Sequence, residues 1–318
     1  EGPFVSEFES KFSSRIKRQH GIACANGSAA LDIAVAALRI GPGDEVIMPT
    51  HTIISCASSV VRAGATPVFV DSDPKTWNMD VRQIEQKITN RTVAIMAVHI
   101  FGLPVDMDAV TEIARKHGLL VIEDAAQMIG QEYKNSPCGS FGDISTFSFY
   151  PNKHITTGEG GMVVTNDSEL AERCRSLRNL CFKPEKRFVH DELGWNYRMT
   201  NIQAALGLAQ LEKLDEFLLK KRNIGAKYEE LLKNVNGIIK PLIKTDYADN
   251  IYWVYGLILD ESIAIDNHGF MKLLSEQGIG TRPFFWPLHM QPVFNNKGLY
   301  INEKYPVAEN MGKKGFYL

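Results

Sequence analysis

The run Thr92-Val93-Ala94-Ile95-Met96-Ala97-Val98 constrains this chain more than any other stretch. It has no charge and no apolar–polar alternation, so it reads as a strand covered on both faces rather than one wetted on one side. Shorter runs of the same character are Val46 to Met48, Pro67 to Val70 and Leu119 to Ile122. Helical patterns at Ile53 to Ala63, Asp80 to Ile88 and Asp106 to His117 separate them. Strand and helix in strict alternation predict an α/β layered domain with a mainly parallel sheet. Ligands in such sheets sit at the carboxyl ends of the strands. His99, Asp124, Gln127 and Ser148 all fall there.

A chain of 318 residues has room for two domains. The net charge of −2 carries no electrostatic footprint for nucleic acid, and no polybasic tract points to a membrane. The longest apolar stretch, Thr92 to Val105, is broken by His99 and is too short to span a bilayer. Five cysteines with no CxxC pair indicate a reduced, cytoplasmic protein. Cys174 and Cys181 are spaced to share a helix face, but two ligands make no metal site. The charged first residues are followed by no signal-peptide core. Both ends read as clipped, with Glu1 in mid-pattern and no polar tail after Gly315-Phe316-Tyr317-Leu318.

Phe4 to His20 reads as an amphipathic helix, and Ile22 to Ala25 as a strand. In Asn26-Gly27-Ser28-Ala29-Ala30-Leu31, Ser28 is placed to cap a helix running to Ile40. Free N–H groups at such a terminus suit a phosphate, although an ordinary capped helix has the same pattern. The turn Gly41-Pro42-Gly43-Asp44-Glu45 precedes a strand instead of following one, so it is no dinucleotide fingerprint. In the second half, strands Ile144 to Phe149 and Gly161 to Thr165 flank a loop that carries Lys153. A helix capped by Ser168 runs to Leu180, and a basic loop holds Lys183, Lys186, Arg187 and His190. A long helix from Thr200 to about Lys220 precedes a second helical pattern to Lys233. Then the character changes: Ile251 to Leu259 is an aromatic-rich strand and Gly269 to Gln277 a helix. The expected division is residues 1–215, a large domain, and residues 216–318, a smaller α+β domain.

Lys153 lies between two strands, among small, polar and glycine residues. That setting suits a lysine that forms and releases a covalent imine with a lowered pKa. Glu123-Asp124-Ala125-Ala126-Gln127 offers an acid, two small side chains and an amide, which suits a flat ring with its nitrogen on the acid. Together with Gly27, Ser28 and Ser148 as a phosphate cradle, these residues meet the needs of pyridoxal phosphate (PLP). Each has a plainer explanation: a solvent-facing lysine, a helix-capping acid, a capped helix.

Further motifs join them: Gly139-Ser140-Phe141-Gly142-Asp143, Thr156-Thr157-Gly158-Glu159-Gly160-Gly161, Asn196-Tyr197-Arg198-Met199-Thr200-Asn201-Ile202-Gln203-Ala204-Ala205, and Thr281-Arg282-Pro283-Phe284-Phe285. Over essentially its whole length the chain resembles the DegT-type nucleotide-sugar aminotransferases of the fold-type-I PLP class. The resemblance implies that Lys153 carries the cofactor, Asp124 pairs with its ring nitrogen and Gln127 lies near its ring hydroxyl. It implies Gly27, Ser28 and Ser148 at the phosphate. It places Asn196 at the phosphate of a neighbouring subunit's cofactor, in a homodimer with shared sites. Lys183, Arg187 and His190 are expected to approach the partner's nucleotide sugar, and Arg282 to face substrate. The implied reaction moves an amino group from glutamate to a nucleotide-linked 4-keto-6-deoxy sugar. The chain departs from the family pattern at Ile53, where an aromatic often follows, and at Met128. His51, a side chain elsewhere or aliphatic packing is left to cover the ring. Two other readings belong to the same fold. One is a sugar 3-dehydratase, in which histidine replaces the lysine. The other is a non-enzymatic ligand-sensing regulator, which would be expected to lose Lys153 or Asp124.

Overall fold

The computed structural model describes residues 2–183 and 185–318. The strands in chain order are β1 His20–Cys24, β2 Glu45–Pro49, β3 Thr66–Val70, β4 Thr92–Val98, β5 Leu120–Asp124, the short hairpin β6 Glu132–Tyr133 and β7 Ser136–Pro137, β8 Ile144–Ser148 and β9 Gly161–Thr165. Seven of these form one sheet in the order β1-β9-β8-β5-β4-β2-β3. Only β9 runs against the rest. The uninterrupted apolar run does what its composition predicts. Ala94, Met96 and Val98 enter one core cluster and Ile95 and Ala97 the other, so β4 is buried from both sides.

The helices that position the site are α1 Pro3–Arg15, α2 Gly27–Ala37, α3 Ile54–Arg62, α4 Met107–His117, α5 Ser168–Arg178, α6 Asn201–Leu211 and α7 Leu214–Leu231. A second sheet of four short antiparallel strands follows: β10 Ile238–Ile239, β11 Gly256–Leu259, β12 Arg282–Pro283 and β13 Gly315–Tyr317. The expected division at 215/216 falls in the first turn of α7. That helix buries Leu214 and Leu218 in the core of the large sheet and packs Tyr228 against the small one. Among the described residues no helix is long and apolar enough to cross a membrane.

Several local expectations are corrected. Asn26, not Ser28, caps α2, its side chain accepting from the Ala29 N–H at 2.8 Å. Asp167, not Ser168, caps α5. In both, the capping oxygen belongs to the residue before the first helical turn, from which it reaches the free N–H groups. Asp80 to Ile88 is two 3₁₀ turns, Val81–Gln83 and Glu85–Lys87. The Asp80 carboxylate caps the first turn and pairs with Arg82, and the backbone is extended again at Ile88. The long helix breaks at Glu212 and Lys213, so α6 and α7 are separate. The aromatic strand is shorter than expected. Tyr252 has φ 50°, and the Asn250 side chain accepts its N–H, so pairing starts only at Gly256.

Candidate active site

A cavity of about 540 Å³ opens at the carboxyl ends of β5 and β8. Asp124 closes β5 and Ser148 closes β8. The loop after β8 carries Lys153, and the N-terminus of α2 brings Gly27 and Ser28. Gln127 follows Asp124 by one short turn and lines the same space. All six of these expected residues therefore meet in one cavity.

Where α2 begins, the backbone approaches the cavity wall closely. A Cβ on Gly27 would come within 2.8 Å of Ser148 Cβ, so only glycine fits there. Gly27 and Ser28 open α2, where N–H groups have no partner inside the helix and the dipole is positive. The Ser28 hydroxyl meets that of Ser55 at 2.7 Å. Ser55 sits in the first turn of α3, so two helix starts converge. Sequence reading missed Ser55, since nothing local distinguishes it from its serine neighbours.

At the other end Asp124 is buried, and burial pushes its carboxyl above the ordinary value. The Ala126 N–H donates to Oδ1 at 3.0 Å, the Cys56 thiol donates to Oδ2 at 3.2 Å, and Lys153 adds positive charge, all opposing that shift. The Gln127 carbonyl oxygen accepts from the Phe101 N–H at 2.6 Å, which leaves its NH₂ group for the cavity. Behind Asp124, Glu123 receives the His99 ring at 3.0 Å and the N–H groups of Gly139, Phe141 and Gly142. Burial alone would raise Glu123. These donors hold it below its ordinary value. Cys138 lies within ligating reach of His99 and Glu123, yet burial keeps its thiol protonated and the other two already bind each other, so the cluster is a brace.

Lys153 is poised. Burial pushes its ammonium down to about 8, against the pull of Asp124. Its Nζ stands 3.9 Å from the centre of the Trp253 ring. Trp253 in turn donates Nε1–H to the Asn152 carbonyl at 2.9 Å, fixing the lysine loop to the second half of the chain. Trp253 was missed in the sequence, where it is one of several aromatics in a presumed strand. The left-handed turn at Tyr252 decides which ring reaches the lysine.

The remaining expected residues lie outside this chain's own cavity. Asn196 is exposed and borders a surface hollow with Arg198, Thr200 and Asn201. Lys183 pairs with Asp191, Arg187 lies over the Phe182 ring at 5.1 Å, and His190 Nδ1 is 2.8 Å from the Leu180 carbonyl. Arg282 is exposed on β12, paired in register with Tyr317, which does line the cavity. Thr52 and Ile53 line the cavity, whereas His51 is buried behind it among Phe101, Phe284 and Phe285. His154, the neighbour of the lysine, is also buried and is not part of the lining.

A glycine-floored cradle at a helix start, a buried acid facing a lysine of lowered pKa, and a mostly parallel sheet fit PLP. The class they define is the fold-type-I, PLP-dependent aminotransferases. The chain belongs to the DegT/DnrJ/EryC1/StrS aminotransferase family, whose description matches residues 1–318. It is similar to the GDP-perosamine synthase of Escherichia coli O157:H7, at 44% identity over 100% of this chain and 85% of that protein. It is 45% identical to the GDP-perosamine synthase of Caulobacter vibrioides, again over 100% of this chain and 85% of the relative. Among solved structures, S. venezuelae DesV in complex with a ketimine intermediate superposes with a TM-score of 0.92, at 34% identity, covering 100% of this chain and 84% of DesV.

Proposed function

We propose that this chain transfers an amino group from glutamate to the keto carbon of a GDP-linked 4-keto-6-deoxy sugar. The observation that carries the reading is the Lys153 amine, whose ammonium burial lowers to about 8, in one cavity with Asp124. The names of the relatives, GDP-perosamine synthase, supply the nucleotide and the sugar. Bound here, the cofactor supplies an electron sink next to the substrate nitrogen. The N–H groups of Gly27 and Ser28, with the Ser148 hydroxyl, would hold its phosphate. Asp124 would keep the proton on its ring nitrogen, and the Gln127 NH₂ would meet the ring hydroxyl. The Lys153 amine, when free, would move the proton at the reacting carbon. A dehydratase reading is disfavoured because Lys153 stands where that branch has histidine.

The test is a visible absorbance spectrum of the purified protein, followed by a substrate panel. Glutamate should bleach the band of the lysine-bound cofactor, and the GDP-linked ketosugar should then be aminated. A band that persists with glutamate would overturn the donor. Amination of a UDP- or dTDP-linked ketosugar, with the GDP-linked one ignored, would overturn the sugar assignment.

A homodimer with shared sites is part of the same proposal. Asn196, Lys183, Arg187 and His190 are outside their own cavity, and all but the half-buried Lys183 are exposed, which suits service to a partner's site. The mass in solution by light scattering should be about twice the 35.6 kDa of the chain. A monomer with full activity would remove the shared-site assignment.

A further inference from the structure

Two protein donors reach the Asp124 carboxylate among the described residues: the Ala126 N–H on Oδ1 and the Cys56 thiol on Oδ2. The first is backbone and comes with the turn. The second is a side chain from another helix, α3, and is fully buried. Burial and the adjacent carboxylate keep that thiol protonated, so its one hydrogen is always present. Thr52 Oγ1 lies 3.8 Å from the same sulfur. A carboxylate is the stronger acceptor, so the thiol hydrogen goes to Asp124 and the Thr52 hydroxyl is left to donate to sulfur. Thr52 lines the cavity. The result is a short relay from the cavity wall through Cys56 to the acid.

We propose that Cys56 is a positioning residue for the cofactor: its thiol fixes Oδ2 of Asp124, so that the carboxylate is presented to the ring nitrogen in one orientation. The inference rests on the reading of Asp124 as the partner of that nitrogen. Removing the thiol leaves Oδ2 without a protein donor in a buried place, which favours the protonated carboxyl. A hydroxyl at the same position keeps a donor.

The test uses the full chain freed of cofactor by dialysis, with pyridoxamine 5′-phosphate as the probe. That compound has a ring nitrogen and a phosphate but cannot bond to Lys153. C56A is expected to bind it about tenfold more weakly, and C56S within about twofold of the unaltered chain, as expected for loss and retention of one hydrogen bond to a charged group. The deficit of C56A should widen as pH falls, because its Asp124 protonates at a higher pH. Inorganic phosphate, which reads only the cradle at α2, should bind all forms alike. Should alanine leave a destabilising void, C56V repeats the test at fuller volume without the donor. Unchanged affinity in C56A and C56V, a serine variant as weak as alanine, or a parallel loss of phosphate binding would each overturn the inference. D124N separates the two readings. If it binds the probe as tightly as the unaltered chain, the assignment of Asp124 fails. If it binds weakly while C56A does not, only the role of Cys56 fails.

Discussion

Lys153→Ala is expected to lower kcat by at least about 10³-fold while leaving the fold intact, since the side chain would serve both as the cofactor's attachment and as the proton carrier. Its amine is in the cavity and packs on one ring face, so truncation removes no core contact on which the sheet depends. The variant should still take up PLP, weakly, through the α2 cradle and Asp124. A second readout comes from the unaltered chain. Only the neutral amine can attack the cofactor, and burial sets the Lys153 ammonium at about 8. Below that pH, the rate at which the stripped protein captures PLP should rise about tenfold per pH unit and then level off. Stopped-flow absorbance measures it. Full turnover by Lys153→Ala would refute the assignment, and so would a capture rate still climbing at pH 10.

Asp124→Asn is expected to cost about 10²–10³-fold in kcat, the scale seen when one preorganised polar group that stabilises transition-state charge is lost. The substitution nearly preserves shape. It removes the negative charge that would hold a proton on the ring nitrogen, and the electron sink weakens accordingly. It also has a remote signature. Asp124 raises the Lys153 ammonium against burial, so without that charge the lysine must fall further below 8. The midpoint of the capture profile should therefore move to lower pH in the variant. A midpoint that stayed in place or rose would mean that the two side chains do not sense each other.

The residues that carry these two predictions were legible because each sits next to a local landmark. Asp124 ends an apolar strand, Lys153 lies in a loop between two strands, and Gly27 and Ser28 open a helix after a strand. Topology then gathers strand ends at one edge of a parallel sheet, so these landmarks share a cavity without further instruction. Cys56, Ser55 and Trp253 have no such landmark. Cys56 is one residue of an ordinary helix, and its value comes from an acid 68 positions away. Trp253 depends on a left-handed residue before it and on the packing of the second sheet against the lysine loop.

Element limits were lost for similar reasons. The pattern from Thr200 to Lys220 keeps helical periodicity straight through Glu212 and Lys213, where the backbone turns so that Leu214 and Leu218 can be buried. The run from Ile251 has strand composition, but the Asn250 side chain takes the N–H that a strand partner would need.

By itself, then, the sequence determined the alternating architecture, the burial of β4 from both sides and the chemical types at the strand ends, because periodicity and composition act over neighbouring residues. Only the tertiary structure decided which aromatic covers the lysine, which thiol meets the acid and how far each pKa moves. Those quantities depend on burial and on charges brought close from distant parts of the chain, and no local pattern encodes that distance.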